Sequence, residues 1–200
     1  MRWLTLYLRS RHVPTALIAA SGCVTLMWTL WAVFSDSREA DVQMVVLTVL
    51  LAVAAVTATL AGPDDSLERS AALRWPRRRA MHLLAALAVV ILLLLATLLT
   101  GARFGPAWLV IRDAAGLLGL TALGAATVGA ARAWFVPLAW TLAAVLFPLS
   151  ESTSGQILTW QLQAPGNAKA AVTAGVLAGA GLLAYAMAGP LRRAPAEAAL

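Results

Sequence analysis

The sequence contains only one cysteine and one lysine among its 200 residues. The single cysteine, Cys23, excludes an internal disulfide and a cysteine-based metal cluster. The single lysine, Lys169, is followed by alanine, whereas a GxxxxGK[ST] phosphate-binding loop places Ser or Thr after its lysine. We therefore expect that this chain does not itself bind and hydrolyse ATP through such a loop.

Histidine is almost as rare, because His12 and His82 are the only two in the chain. They are far apart in the sequence and have no partners at the spacing of metal ligands, so we interpret each as a side chain at the membrane interface. No combination of Ser, His and an acidic residue typical of nucleophilic catalysis emerges. The sequence thus indicates no catalytic residues and no metal site.

Charged residues make up 12% of the chain and hydrophobic residues 61%, whereas a soluble domain is about a quarter charged. The apolar residues form runs of about twenty, and a helix of that length crosses the roughly 30 Å hydrocarbon core of a bilayer. A membrane-spanning strand would alternate over about ten residues, and "ALAVVILLLLATLL" (86–99) does not alternate. The sequence predicts an all-α membrane protein with a single transmembrane domain over residues 1–200.

Six apolar segments predict six transmembrane helices. We place them near residues 13–34, 42–62, 81–100, 107–130, 133–149 and 170–189. Residues 1–12 mix apolar and arginine side chains, which favours a short interfacial helix; an ordinary positively charged flank is the alternative.

The basic residues predict the orientation of these helices, because short cytoplasmic loops carry an excess of Lys and Arg. Eleven basic residues fall on the side that holds both termini: Arg2, Arg9, Arg11, Arg69, Arg74, Arg77, Arg78, Arg79, Arg132, Arg192 and Arg193. Three fall on the other side: Arg38, Arg103 and Lys169. This asymmetry predicts cytoplasmic termini in a bacterial plasma membrane, and it explains the net charge of +6 without nucleic acid as a partner.

Two charged residues, Arg112 and Asp113, lie within the fourth apolar segment, where ionisable groups are costly and often functional. In the favoured interpretation the helix begins near Ala114, Asp113 caps it, and Arg112 extends to the headgroups. In the alternative interpretation the two face a lumen or a subunit interface and contact a partner or substrate. Adjacent helical residues point about 100° apart, so we do not expect them to pair with each other.

Glycines predict close helix packing in the fourth and sixth segments, because small residues let helix backbones approach in lipid. The fourth segment contains Gly116, Gly119, Gly124 and Gly129, and the sixth contains Gly175, Gly179 and Gly181, of which the first two have GxxxG spacing. The fifth segment, with Pro137 and Pro148, is short for a span. Residues 150–169 after it have an apolar centre, which fits either a re-entrant or interfacial helix or a plain surface loop.

The loop "PDDSLERSAALRWPRRRA" (63–80) is the most charged stretch of the chain. Asp65 and Glu68 have the spacing of a capping box, and Pro76 is expected to end the helix that they begin. A short cytoplasmic helix is one interpretation of this loop. The other is a solvated basic loop that only sets the topology.

The assembled pattern resembles the permease subunit of ABC-2 type exporters, especially the small actinobacterial permeases. The resemblance covers nearly the full chain. It lies in the basic start, the six spans, "LERSAALRWPRRR" (67–79), "RDAAGLLGLTALGAATVGA" (112–130), and the short "PLAWTL" (137–142) before an outer re-entrant region.

This resemblance implies a non-enzymatic permease subunit of an ATP-driven exporter, which pairs with a second permease half as a homodimer or heterodimer. A separate cytoplasmic ATPase would hold ATP and Mg²⁺ and dock on a coupling helix in loop 64–79. The residues implied in that coupling are Asp64, Asp65, Leu67, Glu68, Arg69, Leu73 and Arg74. The turn at Arg132 would make a second, smaller cytoplasmic contact.

Two other functions stay open. One is a membrane scaffold or regulatory subunit that moves no solute, which nearly uncharged spans and tight glycine packing suit equally well. The other is an ion-coupled secondary transporter, which needs acidic residues or broken helices near mid-membrane. Only Asp113 comes close to that requirement.

Overall fold

A computed structural model describes residues 11–61, 75–147 and 152–191. Within these ranges the chain forms α-helices joined by short turns, without a β-strand. The helices are α1 (Val13–Phe34), α2 (Val42–Thr57), α3 (Trp75–Thr97), α4 (Ala107–Thr127), α5 (Phe135–Leu146), α6 (Thr153–Leu158) and α7 (Ala168–Ala188). Three 3-10 turns accompany them at Ala58–Leu60, Ala130–Arg132 and Trp160–Leu162.

Five of the helices within the described ranges are long and apolar enough to cross a membrane: α1, α2 with its 3-10 turn, α3, α4 and α7. This confirms an all-α, multi-pass membrane protein. The predicted span at 133–149 contains the 12-residue helix α5, which is about 18 Å long and shorter than the hydrocarbon core. The short fifth helix was predicted, whereas the cytoplasmic location of the termini stays a prediction. Residues 1–10, with the proposed interfacial helix, lie outside the description.

Helix α3 is already helical at Trp75 and contains Pro76, so the expectation that Pro76 ends a helix is wrong. The arginines that follow extend the helix beyond the apolar run. Arg79 is buried, and its guanidinium packs against Gly189, the residue that ends α7.

Helix α4 lies at the centre of the bundle and packs against α2, α3, α5 and α7. Its closest crossing is with α7, where a Cβ added to Gly181 would overlap the carbonyl oxygen of Gly119. The predicted close packing of α4 is therefore confirmed at Gly119. The GxxxG pair of α7 does not take part, because Gly175 and Gly179 lie on an exposed face with no atom near an added Cβ.

The ends of the bundle are tied together by hydrogen bonds between loops and helices. The Ala40 amide donates to the Arg103 carbonyl at 2.9 Å, which joins the α1–α2 and α3–α4 connections. The Trp28 indole Nε1 donates to Thr100 Oγ1 at 2.9 Å at the same end. These bonds fix the end of the bundle at which α4 begins.

Candidate functional site

Arg112 and Asp113 lie in the second turn of α4, which begins at Ala107 after the N-cap residue Pro106. Their relative exposures are 3% and 0%. The interpretation in which the helix begins near Ala114, Asp113 caps it and Arg112 extends to the headgroups is therefore wrong. The N-cap residue is Pro106 instead, and it makes no side-chain hydrogen bond to the helix. Its fixed φ angle suits a helix boundary.

The two side chains form a buried ion pair, in which Arg112 Nε donates to Asp113 Oδ1 at 2.9 Å. The expectation that they do not pair is wrong. The 100° rule describes the directions of the Cα–Cβ bonds, whereas the long arginine side chain bends around the helix to reach the carboxylate of its neighbour. The pair is neutral overall, which lowers the cost of placing either charge inside the bundle.

The other guanidinium nitrogens of Arg112 bind the backbone of residues about fifty positions later. Nη1 donates to the Ala164 carbonyl at 3.0 Å, and Nη2 donates to the Gln161 and Gln163 carbonyls at 3.2 and 3.1 Å. We name residues 152–167 the capping segment. With the Asp113 bond, Arg112 uses four of its five N–H donors, and three of them hold this segment.

The capping segment packs between helices. The interpretation of residues 150–169 as a plain surface loop is therefore wrong. The indole ring of Trp160 is fully buried against Gly116 of α4. From α5, Trp140 Nε1 donates to the Leu158 carbonyl at 3.0 Å and Thr141 Oγ1 contacts Gln161 Oε1 at 3.3 Å. Short helix α5 and the capping segment thus form one packed unit on α4.

Polar side chains order the capping segment internally. Gln163 Nε2 donates to Thr159 Oγ1 at 2.8 Å. Asn167 Oδ1 accepts from the Ala170 amide at 3.0 Å and caps α7, while its Nδ2 donates to the side chains of Gln156 and Gln163. The segment therefore leads directly into the N-terminus of α7 through its cap residue Asn167.

Three buried polar atoms near this ion pair have no hydrogen-bond partner among the described residues: Asp113 Oδ2, Trp160 Nε1 and Gln161 Nε2. An unmade buried hydrogen bond costs about 1–3 kcal/mol. The site thus combines a neutral ion pair with one buried acceptor and two buried donor groups that have no hydrogen-bond partner among the described residues. The described residues contain no group of three or more His, Cys, Asp or Glu side chains that could hold a metal ion.

The structure places the predicted site residues in three ways. It brings Arg112 and Asp113 together as described. Arg132 lies exposed in the turn after α4, at the opposite end of that helix. The proposed coupling residues fall in 62–74, outside the described residues, so their role stays a prediction.

Sequence reasoning missed Trp160, Gln161 and the carbonyls of residues 161, 163 and 164. The only sequence feature that pointed to them was the apolar centre of residues 150–169. Every residue has a backbone carbonyl, so the sequence does not show which carbonyls accept hydrogen bonds from a side chain. Comparison of the chain with protein-family models, curated proteins and solved structures finds no match.

Proposed function

We propose that this chain is the membrane-spanning permease subunit of an ATP-driven ABC exporter in a bacterial plasma membrane. The observation that supports this proposal most directly is the unit formed by α5 and the capping segment. A short fifth helix followed by a segment that packs back on the bundle is what the resemblance to ABC-2 permeases implies for this part of the chain.

The chemistry of the chain fits a subunit that draws its energy from elsewhere. The sequence has no GxxxxGK[ST] loop, so ATP and Mg²⁺ would be held by a separate cytoplasmic ATPase. The coupling contact would be loop 64–79, with a smaller contact at Arg132, and a second permease half would complete the pathway.

We name the three hydrogen bonds of Arg112 to the capping segment the Arg112 clamp. Under this proposal, the Arg112 clamp sets the resting position of the capping segment. Its bonds to the Gln161, Gln163 and Ala164 carbonyls close one end of the bundle beside α5. These bonds would have to break or shift for a solute to pass along α5. Charge-assisted bonds to backbone carbonyls suit such a role, because they are directional and do not depend on the side chains of the clamped segment.

The test is copurification of the full chain with the ATPase encoded beside it, followed by ATPase assays in liposomes. We expect Leu67→Ala and Glu68→Arg to weaken assembly and the stimulation of ATP hydrolysis. Glu39→Arg is the matched control, because Glu39 lies in the α1–α2 loop on the opposite predicted side. Unchanged assembly and stimulation in both loop variants would overturn the coupling role of residues 64–79.

The same liposomes separate the other two functions. Solute movement that needs ATP supports the exporter, whereas movement driven by an ion gradient without ATP assigns the chain to secondary transport and makes Asp113 the residue to test. ATPase binding without movement of any solute, or the absence of a partner ATPase, favours a scaffold or regulatory subunit.

A further inference from the structure

Helix α1 packs mainly against α2 and leaves a cavity open between its second half and the end of α3. The cavity has a volume of about 320 Å³, which is within the range of small-molecule sites. None of the residues that line it is charged. Its wall on α1 consists of Ser21, Val24, Thr25 and Trp28, and its wall on α3 includes Leu93 and Ala96. We name it the hydroxyl cavity, after Ser21 and Thr25.

The side-chain hydroxyls of Ser21 and Thr25 make no hydrogen bond within the part of the chain that the structure describes. Other threonines of the spanning helices, such as Thr48 and Thr121, donate to the carbonyl four residues earlier, which is the usual bond of a hydroxyl inside a helix. An unmade hydrogen bond is costly in hydrocarbon, because no water replaces it. The hydroxyl cavity therefore offers two donor groups to a molecule that carries acceptor atoms.

The other polar groups of the hydroxyl cavity already have partners. Thr97 Oγ1 and Thr100 Oγ1, on the opposite wall, each donate to a backbone carbonyl at 2.6 Å. Trp28 Nε1 donates to Thr100 Oγ1 at 2.9 Å, which holds the indole ring in the wall of the cavity. Recognition of a ligand would thus come from the two α1 hydroxyls and from an aromatic and aliphatic surface.

Both hydroxyls lie deep in the span. At the rise of an α-helix, Thr25 lies about 14 Å and Ser21 about 20 Å from Phe34, the last residue of α1. The ester groups of a phospholipid lie at the edge of the hydrocarbon core, so its acyl chains offer no acceptor at this depth. An occupant that satisfies the two hydroxyls must carry acceptor atoms into the bilayer interior without a charge.

We propose that the hydroxyl cavity binds a neutral, lipid-soluble dicarbonyl compound of the quinone class, with its ring against Trp28 and its carbonyl oxygens accepting hydrogen bonds from Ser21 and Thr25. Residues four apart lie on one face of a helix, separated by about 6 Å. The two carbonyl oxygens of a para-quinone lie at opposite ends of one ring and have a similar separation. The uncharged lining and the position between two membrane helices suit a ligand that enters from the bilayer.

This inference goes beyond the proposed function and does not depend on it, since a scaffold or a secondary transporter could bind the same compound. The experiment uses the full chain in micelles of a neutral detergent. The probe is duroquinone, whose fully methylated ring leaves no ring position at which the thiol of Cys23 would replace a hydrogen. The comparison compound is durene, which has the same ring and methyl groups but no carbonyl.

Binding of both compounds is measured by isothermal titration calorimetry, with protein-free micelles as the reference. We expect duroquinone to bind about tenfold more tightly than durene, because only duroquinone accepts hydrogen bonds from the two hydroxyls.

Two kinds of variant test the hydroxyls and the space between the helices. Ser21→Ala and Thr25→Val each remove one donor, so each is expected to weaken duroquinone binding by about fivefold and to leave durene binding unchanged. Thr25→Ser keeps a hydroxyl and should retain the preference for duroquinone, which separates loss of the donor from a change in packing. Ala96→Phe fills the cavity and should weaken the binding of both compounds.

The matched controls lie on the same two helices outside the cavity. Thr29→Val removes a hydroxyl that donates to the Thr25 carbonyl and does not line the cavity. Ala88→Phe adds the same bulk as Ala96→Phe at an exposed position of α3. Both controls are expected to bind duroquinone as the unmodified chain does.

Four results would overturn the proposal. They are no saturable binding of duroquinone, equal binding of duroquinone and durene, an equal effect of Thr29→Val and Thr25→Val, and an equal effect of Ala88→Phe and Ala96→Phe.

Discussion

The Tyr185 hydroxyl donates a hydrogen bond of 2.8 Å to the Leu60 carbonyl, which joins α7 to the end of α2 across 125 residues of sequence. Both residues are fully buried. Tyr185→Phe removes the donor and leaves the carbonyl without this bond, so we expect the free energy of unfolding to fall by about 1–3 kcal/mol. Unfolding of the full chain in detergent micelles measures the change.

Thr29→Val is the control for this variant. Thr29 is exposed, and its hydroxyl donates to the Thr25 carbonyl of the same helix at 2.8 Å. We expect a change within about 0.5 kcal/mol. Equal losses in the two variants would show that the Tyr185 bond does not hold α2 and α7 together.

Removal of one partner of the Arg112–Asp113 ion pair is expected to lower the free energy of unfolding. Arg112→Gln and Asp113→Asn each leave a buried charge without its partner, so each should lower the free energy of unfolding by about 3–5 kcal/mol. The double variant should lose less than the sum of the single losses, because it removes both charges. Arg132→Gln, at an exposed arginine, should change stability by less than about 0.5 kcal/mol.

Hydrogen exchange adds a local measurement to the stability measurements on these single and double variants. Because Arg112 binds the carbonyls of residues 161, 163 and 164, Arg112→Gln should speed amide exchange in the capping segment more than in α1 or α2. Uniform acceleration through the chain would mean that Arg112 supports the bundle in general and does not hold this segment in particular.

Two glycines of α7 are expected to respond in opposite ways to the same substitution. A Cβ at Gly181 would overlap the backbone of Gly119, so Gly181→Ala should cost about 1–3 kcal/mol through forced movement of α4 and α7. A Cβ at Gly179 meets nothing within 4 Å, and alanine is the better helix former by about 1 kcal/mol. Gly179→Ala should therefore be neutral or stabilising in thermal unfolding, and destabilisation of similar size in both variants would contradict the crossing described here.

Asn167 has two roles that substitution can separate. Asn167→Asp keeps an oxygen that caps α7 but loses the amide donor to Gln156 and Gln163. Asn167→Ala loses both, so we expect it to cost about 1 kcal/mol more than the aspartate variant. If both variants lose the same stability, the cap contributes nothing measurable to α7.

The apolar runs were sufficient to predict the long helices, because each run has the length that a bilayer requires. The described part of α3 extends before the predicted span at 81–100, since the three arginines after Pro76 interrupt the apolar run but not the helix. The shortness of α5 was predicted from the length of its apolar segment, and Pro137 of that segment lies inside the first turn of the helix.

The contacts of the site were less predictable, because they depend on groups that are distant in sequence. A local rule placed Arg112 and Asp113 apart, whereas the structure joins them through a hydrogen bond between two buried side chains. The GxxxG spacing of Gly175 and Gly179 was correct as a pattern, but the spacing does not determine which face of a helix meets its neighbour. Gly181, the third glycine for which close packing was predicted in this segment, is the one that lies at the crossing.

The clamp at Arg112 has a consequence for sequence variation. Its contacts with the capping segment go only to main-chain oxygens, so replacement of the Gln163 or Ala164 side chain leaves these acceptors in place. The Ala164 side chain is thus free to vary while its carbonyl stays in place, whereas the Gln163 side chain also bonds to Thr159 and Asn167 and is constrained by those bonds. Such a clamp would not tolerate an inserted proline or a deletion, because either change shifts the register of these carbonyls by one residue.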